Sequence, residues 1–108
     1  MLRKLILVLL TVFLVACATA TPLESGMQSF DNRDYKTAFE QLYPVAMEGD
    51  PDAQYAVGYM LYYGKGVAVN KNDGMEWIRK SAKQGNSLAE QALGIVYEQA
   101  NFAPEKTN

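Results

Sequence analysis

Residues 53–85 read AQYAVGYMLYYGKGVAVNKNDGMEWIRKSAKQG and contain the clearest structural pattern of the chain. Ala53, Val57 and Leu61 stand four residues apart, which is the spacing of neighbours on one face of an α-helix. Small residues are frequent along this face, as they are where two helices approach closely. This half of the stretch therefore predicts a helix packed against another helix.

The second half of the same stretch predicts a turn and another helix. Gly64 and Gly66 interrupt the first helix, and Asn70 is a typical residue at a helix N-cap. A helix over about 71–84 follows, with apolar residues on one side and charged residues on the other. Gly85 ends it, because glycine is common just after a helix. The predicted unit is helix, turn, helix, turn.

An internal repeat with a spacing of 36 residues extends this unit in both directions. The identical pairs are Glu40 with Glu76, Ala46 with Ala82, Gly49 with Gly85, Ala53 with Ala89, Ala56 with Ala92, and Gly58 with Gly94. The register predicts that residues 87–100 form the first helix of a further repeat.

Residues 53–85 resemble one complete Sel-one-like repeat, a relative of the tetratricopeptide repeats. The matching landmarks are Ala53, Val57, Gly58, Gly64, Gly66, Val67, Trp77, Lys80, Ala82 and Gly85. The departures are Leu61 for tyrosine, Asn70 for aspartate, Gly74 for alanine, Ile78 for tyrosine, and Ser81 for alanine. The resemblance implies an all-α fold, a short right-handed α-solenoid of antiparallel helix pairs.

The region before this repeat resembles the degenerate helix pair that often precedes such arrays. Its turn is expected at residues 32–34 and its second helix at residues 35–48, with a kink at Pro44 because proline removes a backbone hydrogen bond. About five helices are therefore expected within a repeat domain of residues 24–100. Residues 101–108 form a polar tail.

The N-terminus has the organisation of a signal peptide. Arg3 and Lys4 precede an apolar run that is too short to span a bilayer. The sequence Leu-Val-Ala-Cys at residues 14–17 resembles a lipobox, which implies cleavage after residue 16 and acylation of Cys17. Residues 17–23 would then form a lipidated tether. The alternative is an ordinary secretory signal, cut for instance after Ala18 or Ala20.

The expected location is the outer membrane, with the protein facing the periplasm. Ala18 and Thr19 follow the cysteine, and neither is the aspartate that retains lipoproteins of enteric bacteria in the inner membrane. Two or more acyl chains anchor a protein durably. Without residues 1–16 the chain carries 8 basic and 12 acidic residues, so nucleic acid is not an expected partner.

Tyr55, Tyr59 and Tyr62 form a candidate partner-binding row, spaced four and three residues apart. In repeats of this type the first helix of each pair lines the concave face, so the resemblance implies that these tyrosines border a groove. Aromatic side chains are frequent anchors at protein interfaces. The alternative is that they pack against a neighbouring helix pair, because the corresponding residues one repeat later are Gln91, Ile95 and Glu98.

A second candidate surface is the end of the repeat stack. The helix at residues 87–100 lacks a following partner helix, which is expected to leave Leu93, Val96 and Tyr97 only partly covered. Either Phe102 folds back over this end, or the end docks a second copy or another protein.

Enzymatic activity is not expected. The chain has no histidine, which excludes a Ser-His-Asp or Cys-His device and a histidine-based metal site, and no cofactor is expected. The favoured function is a membrane-anchored adaptor for another envelope protein. The first alternative is an immunity or inhibitor protein that binds a toxic or secreted enzyme. A hydrolase related to β-lactam-binding members is a weaker alternative, because the paired repeat cysteines of those members are missing.

Overall fold

The computed structural model describes residues 1–7 and 19–101, and every element in these two ranges is helical. Residues 2–7 are helical, and five further helices follow. They are α1 (Pro22–Asp31), α2 (Tyr35–Met47), α3 (Pro51–Tyr63), α4 (Lys71–Lys83) and α5 (Ser87–Asn101). Short loops join them, and each helix packs against the next along the chain, as in antiparallel helix pairs. The prediction of an all-α solenoid is confirmed.

Helix α1 begins at Pro22, two residues before the predicted start. The Thr21 hydroxyl accepts a hydrogen bond from the Glu24 N–H at 3.2 Å, and the Glu24 carboxylate accepts one from the Thr21 N–H at 3.0 Å. This reciprocal capping box satisfies two of the N–H groups that a helix start leaves without partners. The predicted tether of residues 17–23 therefore overlaps the first turn of α1.

The 36-residue repeat is visible in the backbone as well as in the sequence. The Asp50 side chain accepts from the Ala53 N–H at the start of α3, and the Asn86 side chain accepts from the Ala89 N–H at the start of α5, both at 2.9 Å. A glycine with positive φ precedes each cap, Gly49 at 106° and Gly85 at 88°. A glycine with positive φ followed by an Asp or Asn N-cap thus occurs at both turns.

The core lies around α3, which packs against α2 and α4. The buried hydrophobic residues of the core are Ala38, Leu42, Ala46, Ala53, Ala56, Val57, Met60, Leu61, Ile78 and Ala89. Half of these are alanines, so the helices stand close together and the core depends on close packing rather than on large side chains. Pro44 lies within α2, which continues to Met47.

Two glycines allow α3 and α4 to approach each other closely. A Cβ atom at Gly74 would lie 2.7 Å from the Tyr62 nitrogen and 2.8 Å from the Gly58 oxygen. A Cβ atom at Gly58 would lie 2.8 Å from the Gly74 oxygen. The glycine found at position 74 instead of the usual alanine therefore fits an unusually close backbone contact in this chain.

Cys17, the lipobox around it and Phe102 lie outside the described residues, so lipidation and the capping role of Phe102 stay predictions. Within residues 1–7 and 19–101, no helix combines the length and the apolar character that crossing a bilayer requires.

Candidate partner-binding groove

The predicted tyrosine row lines a cavity of about 250 Å³. Tyr55, Tyr59 and Tyr62 are each half-buried on α3, and all three contribute to its wall. Tyr63, which the sequence left unassigned, extends the row and keeps 58% of its surface exposed. Its position four residues after Tyr59 was the signal that could have placed it on the same face.

Helix α5 forms the opposite wall of this cavity, which we call the tyrosine groove. Its side chains there are Leu88, Gln91, Ala92, Ile95 and Val96, and Ile78 of α4 completes the lining. Gln91 and Ile95 stand 36 residues after Tyr55 and Tyr59. The sequence of Gln91 and Ile95 favoured packing over an interface, and in the structure these two residues lie in the second wall of the groove. Leu88 and Ile95 remain 53% and 55% exposed.

The tyrosine rings form a continuous chain along α3. Ring centroids are 6.4 Å apart between Tyr55 and Tyr59, 4.9 Å between Tyr59 and Tyr63, and 5.0 Å between Tyr62 and Tyr63. The Tyr59 ring also contacts Phe30 of α1 edge to face, with centroids 5.6 Å apart. Tyr59 therefore both packs against a neighbouring helix pair and borders the groove.

The Tyr55 side chain in the groove wall on α3 is neutral at physiological pH. Partial burial, followed by the neighbouring hydroxyls of Tyr59 and Tyr63, raises the pKa of Tyr55 above its ordinary value. The Tyr55 side chain is therefore a hydrogen-bonding phenol rather than a phenolate. Among the described residues that line the groove there is no lysine or arginine.

A polar network that sequence reasoning missed holds α3 in place beneath the groove. Gln54 is 5% exposed, and its amide donates to the Ala46 carbonyl at 3.2 Å. The Gln84 amide donates to the Gln54 side-chain oxygen and to the Gly49 carbonyl, both at 2.8 Å. These bonds join the ends of α2 and α4 to the first turn of α3. They also satisfy both polar atoms of the buried Gln54 amide, as burial requires.

The predicted open-end residues are divided between two surfaces. Leu93 and Val96 are half-buried, and Val96 lines the tyrosine groove. Tyr97 is 53% exposed, and its hydroxyl, followed by the Glu76 carboxylate, raises the pKa of the Arg79 guanidinium. Docking at this end stays a prediction.

Trp77, a landmark of the repeat, is half-buried and does not line the groove. Tyr43 of α2 meets its ring edge to face at 5.9 Å between centroids. The Lys80 ammonium lies 4.5 Å from the ring centroid, within the range of a cation–π interaction. In the part of the chain that the structure describes, His, Cys, Asp and Glu form no cluster that could hold a metal ion.

A stack of antiparallel helix pairs with a groove between the first helices of successive pairs is the architecture of an α-solenoid repeat protein. Within this class, residues 51–86 match the family described as Sel1 repeat. The matched segment begins at the first residue of α3 and ends at the N-cap of α5, so it contains one structural repeat. Residues 51–86 therefore match a Sel1 repeat, as the resemblance of residues 53–85 predicted.

This chain is similar to known proteins, among them the following two. A Sel1 repeat protein from Oxalobacter formigenes has a crystal structure that superposes with a TM-score of 0.55 at 39% identity, covering 56% of this chain and 18% of that chain. Chitin synthase regulatory factor 3 of Schizosaccharomyces pombe is 32% identical over 87 residues, which cover 76% of this chain and 9% of that protein. This chain thus spans about a tenth of the length of its curated relative.

Proposed function

We propose that this protein is a non-enzymatic adaptor, anchored by acylated Cys17 in the outer membrane, that holds another envelope protein in the tyrosine groove. Sel1 repeats are scaffolds for protein–protein interaction, which supports the choice of a protein as partner. The observation that carries the proposal is the aromatic cavity between α3 and α5.

The composition of the groove suits a protein partner. Tyrosine supplies a large contact area with only two rotatable side-chain bonds, so its immobilisation costs little conformational entropy. Leu88 and Ile95 lie beside the tyrosines and are more than half exposed. Apolar side chains grouped around a concave site with a few hydroxyl groups are typical of interface centres.

The anchor supports the same function through concentration. An acylated protein is confined to a thin layer at the membrane, which raises its effective concentration toward other membrane-bound proteins. The Schizosaccharomyces pombe relative is named as a regulatory factor. For this chain we propose, in the same way, a role exerted on another protein.

Affinity capture after in-cell crosslinking tests the proposal and separates the two candidate surfaces. Ile95→Lys places a charged side chain at the groove, and Tyr97→Lys is a matched change on the same helix at a site of similar exposure. We expect one abundant partner with the wild type and with Tyr97→Lys, and its loss with Ile95→Lys.

Retention of the partner by Ile95→Lys together with its loss from Tyr97→Lys would move the interface to the end of the stack. Capture of a toxic or secreted enzyme, with protection of growth, would favour the inhibitor alternative. Loss of the partner from Cys17→Ser alone would show that membrane placement produces the encounter.

A further inference from the structure

We propose that the tyrosine groove accepts a lysine or arginine side chain of the partner, with the aliphatic stem in the cavity and the charged group against the tyrosine rings. This inference rests on the proposed function and names the chemistry of the partner segment. It follows from the cavity lining, the arrangement of the rings and the charges at the two ends of the groove.

The cavity matches a long aliphatic stem in size and polarity. Its volume is about 250 Å³, and Ile78, Ala92 and Val96 provide apolar surface between the two walls. Lysine and arginine bury their methylene groups on such surfaces while the charged group stays near solvent. A small amine without a stem, such as a phosphoethanolamine headgroup, gains nothing from this apolar surface.

The ring planes of the tyrosine row differ in orientation. The Tyr55 and Tyr59 planes are inclined by 44°, and those of Tyr59 and Tyr63 by 54°, so the faces point in different directions. A cation is attracted to a ring face within about 6 Å of the centroid. The protein already uses this interaction in the row, because the Lys71 ammonium lies 5.3 Å from the Tyr62 centroid.

Acidic residues continue both walls of the groove. Asp52 precedes Tyr55 by three residues on α3, and its carboxylate accepts a hydrogen bond from the Asn86 amide at 2.7 Å. Glu98 follows Ile95 by three residues on α5 and is exposed. The described lining contains no lysine or arginine, and the Lys71 ammonium against Tyr62 offsets one of these two carboxylates. They favour a cationic side chain over a neutral or acidic one.

Titration of tyrosine ring NMR signals in the full chain tests the inference. The probes are Nα-acetyl-lysine amide, Nα-acetyl-norleucine amide, which has an aliphatic stem without charge, and phosphoethanolamine. We expect the lysine probe to shift the Tyr59 and Tyr63 signals and to bind about fivefold more tightly than the norleucine probe. Tyr63→Leu removes a ring at an exposed site and should reduce this preference, whereas Tyr59→Phe keeps the ring face and should retain it.

Charge variants separate attraction by the acids from simple filling of the cavity. Asp52→Asn combined with Glu98→Gln should weaken the lysine probe and leave the norleucine probe unchanged. Glu76→Gln is the matched control, because Glu76 pairs with Arg79 on α4 and does not line the groove.

Equal binding of the lysine and norleucine probes, tighter binding of phosphoethanolamine, or no shift with any probe would overturn the inference. The proposed function has a separate readout. If Ile95→Lys abolishes capture of the partner while the lysine and norleucine probes bind equally, the groove is the interface and only its cation preference is wrong.

Discussion

At the scale of single residues, the contact between Gly58 and Gly74 has the clearest energetic consequence. Alanine is the usual residue of the resembled repeat at position 74 and is a better helix former than glycine by about 1 kcal/mol. The backbone contact at this point leaves no room for a methyl group. For an alanine at position 74, helix propensity therefore raises the free energy of unfolding and packing lowers it, and the packing contribution is the larger.

Gly74→Ala is expected to destabilise the protein by up to about 2 kcal/mol, because overpacking typically costs 1–3 kcal/mol and propensity returns about 1. Gly94→Ala is the matched control, since this helical glycine has no atom within 4 Å of the Cβ position and should gain about 1 kcal/mol from propensity alone. Urea unfolding followed by circular dichroism measures both variants. Equal stabilisation by both would contradict the close contact.

Tyr55 provides a pH prediction at the same scale. Because burial and its tyrosine neighbours raise its pKa in the folded state, folding favours the protonated phenol. Its contribution to the free energy of unfolding is complete below the ordinary pKa of 10.0 and declines as the pH rises through the raised folded value. Alkaline absorbance titration of wild type minus Tyr55→Phe should show a tyrosine that ionises above 10.0. A difference curve centred at or below that value would contradict the burial of Tyr55.

At the scale of the helices, a buried amide network rather than hydrophobic contact alone fixes the junction of α2, α3 and α4. Gln54 supplies both a donor to Ala46 and an acceptor to Gln84. Sequence patterns find apolar faces by their period, but a glutamine inside a helix carries no signal of burial. The role of Gln54 depends on which helix ends lie beside it in the folded protein, and local sequence does not determine this.

Gln54→Leu is expected to cost about 1–2 kcal/mol, because it removes two hydrogen bonds of a buried side chain, while the Gln84 amide keeps the Gly49 carbonyl and the Ala46 carbonyl keeps the Gly49 N–H. The double variant Gln54→Leu/Gln84→Leu should cost less than the sum of the two single changes, since the two side chains share one hydrogen bond. Gln99→Leu on the exposed part of α5 should change stability by no more than about 0.5 kcal/mol. Additive losses in thermal unfolding would argue against the network.

The helices themselves were largely predictable because their signals are local. The spacing of Ala53, Val57 and Leu61 and the cap at Asn70 define α3 and the start of α4. Helix α1 starts two residues before the predicted position because the Thr21–Glu24 capping box fixes its first turn. The groove was only half predictable. The tyrosines were found on α3, but their facing wall depends on how α5 returns beside them.

At the scale of the whole molecule, the proposed function depends on a repeat domain joined to a predicted membrane anchor. The all-α solenoid fold is confirmed, residues 51–86 match a Sel1 repeat, and the anchor at Cys17 is a prediction from the lipobox. Cys17→Ser should move the protein from the membrane fraction to the soluble fraction and abolish labelling by a palmitate analogue. Unchanged fractionation and labelling would exclude acylation at this residue, whereas a shorter unlabelled wild-type chain would favour an ordinary secretory signal.

The most direct test of the central claim is site-specific photo-crosslinking in living cells. A photoreactive residue at Leu88 lies at the groove, and one at Met47 lies on α2 away from it, with 53% and 62% of these side chains exposed. A binding groove predicts a discrete crosslinked partner at Leu88 and none at Met47. A crosslink at Met47 alone, or the same products at both positions, would contradict the assignment of the groove as the interface.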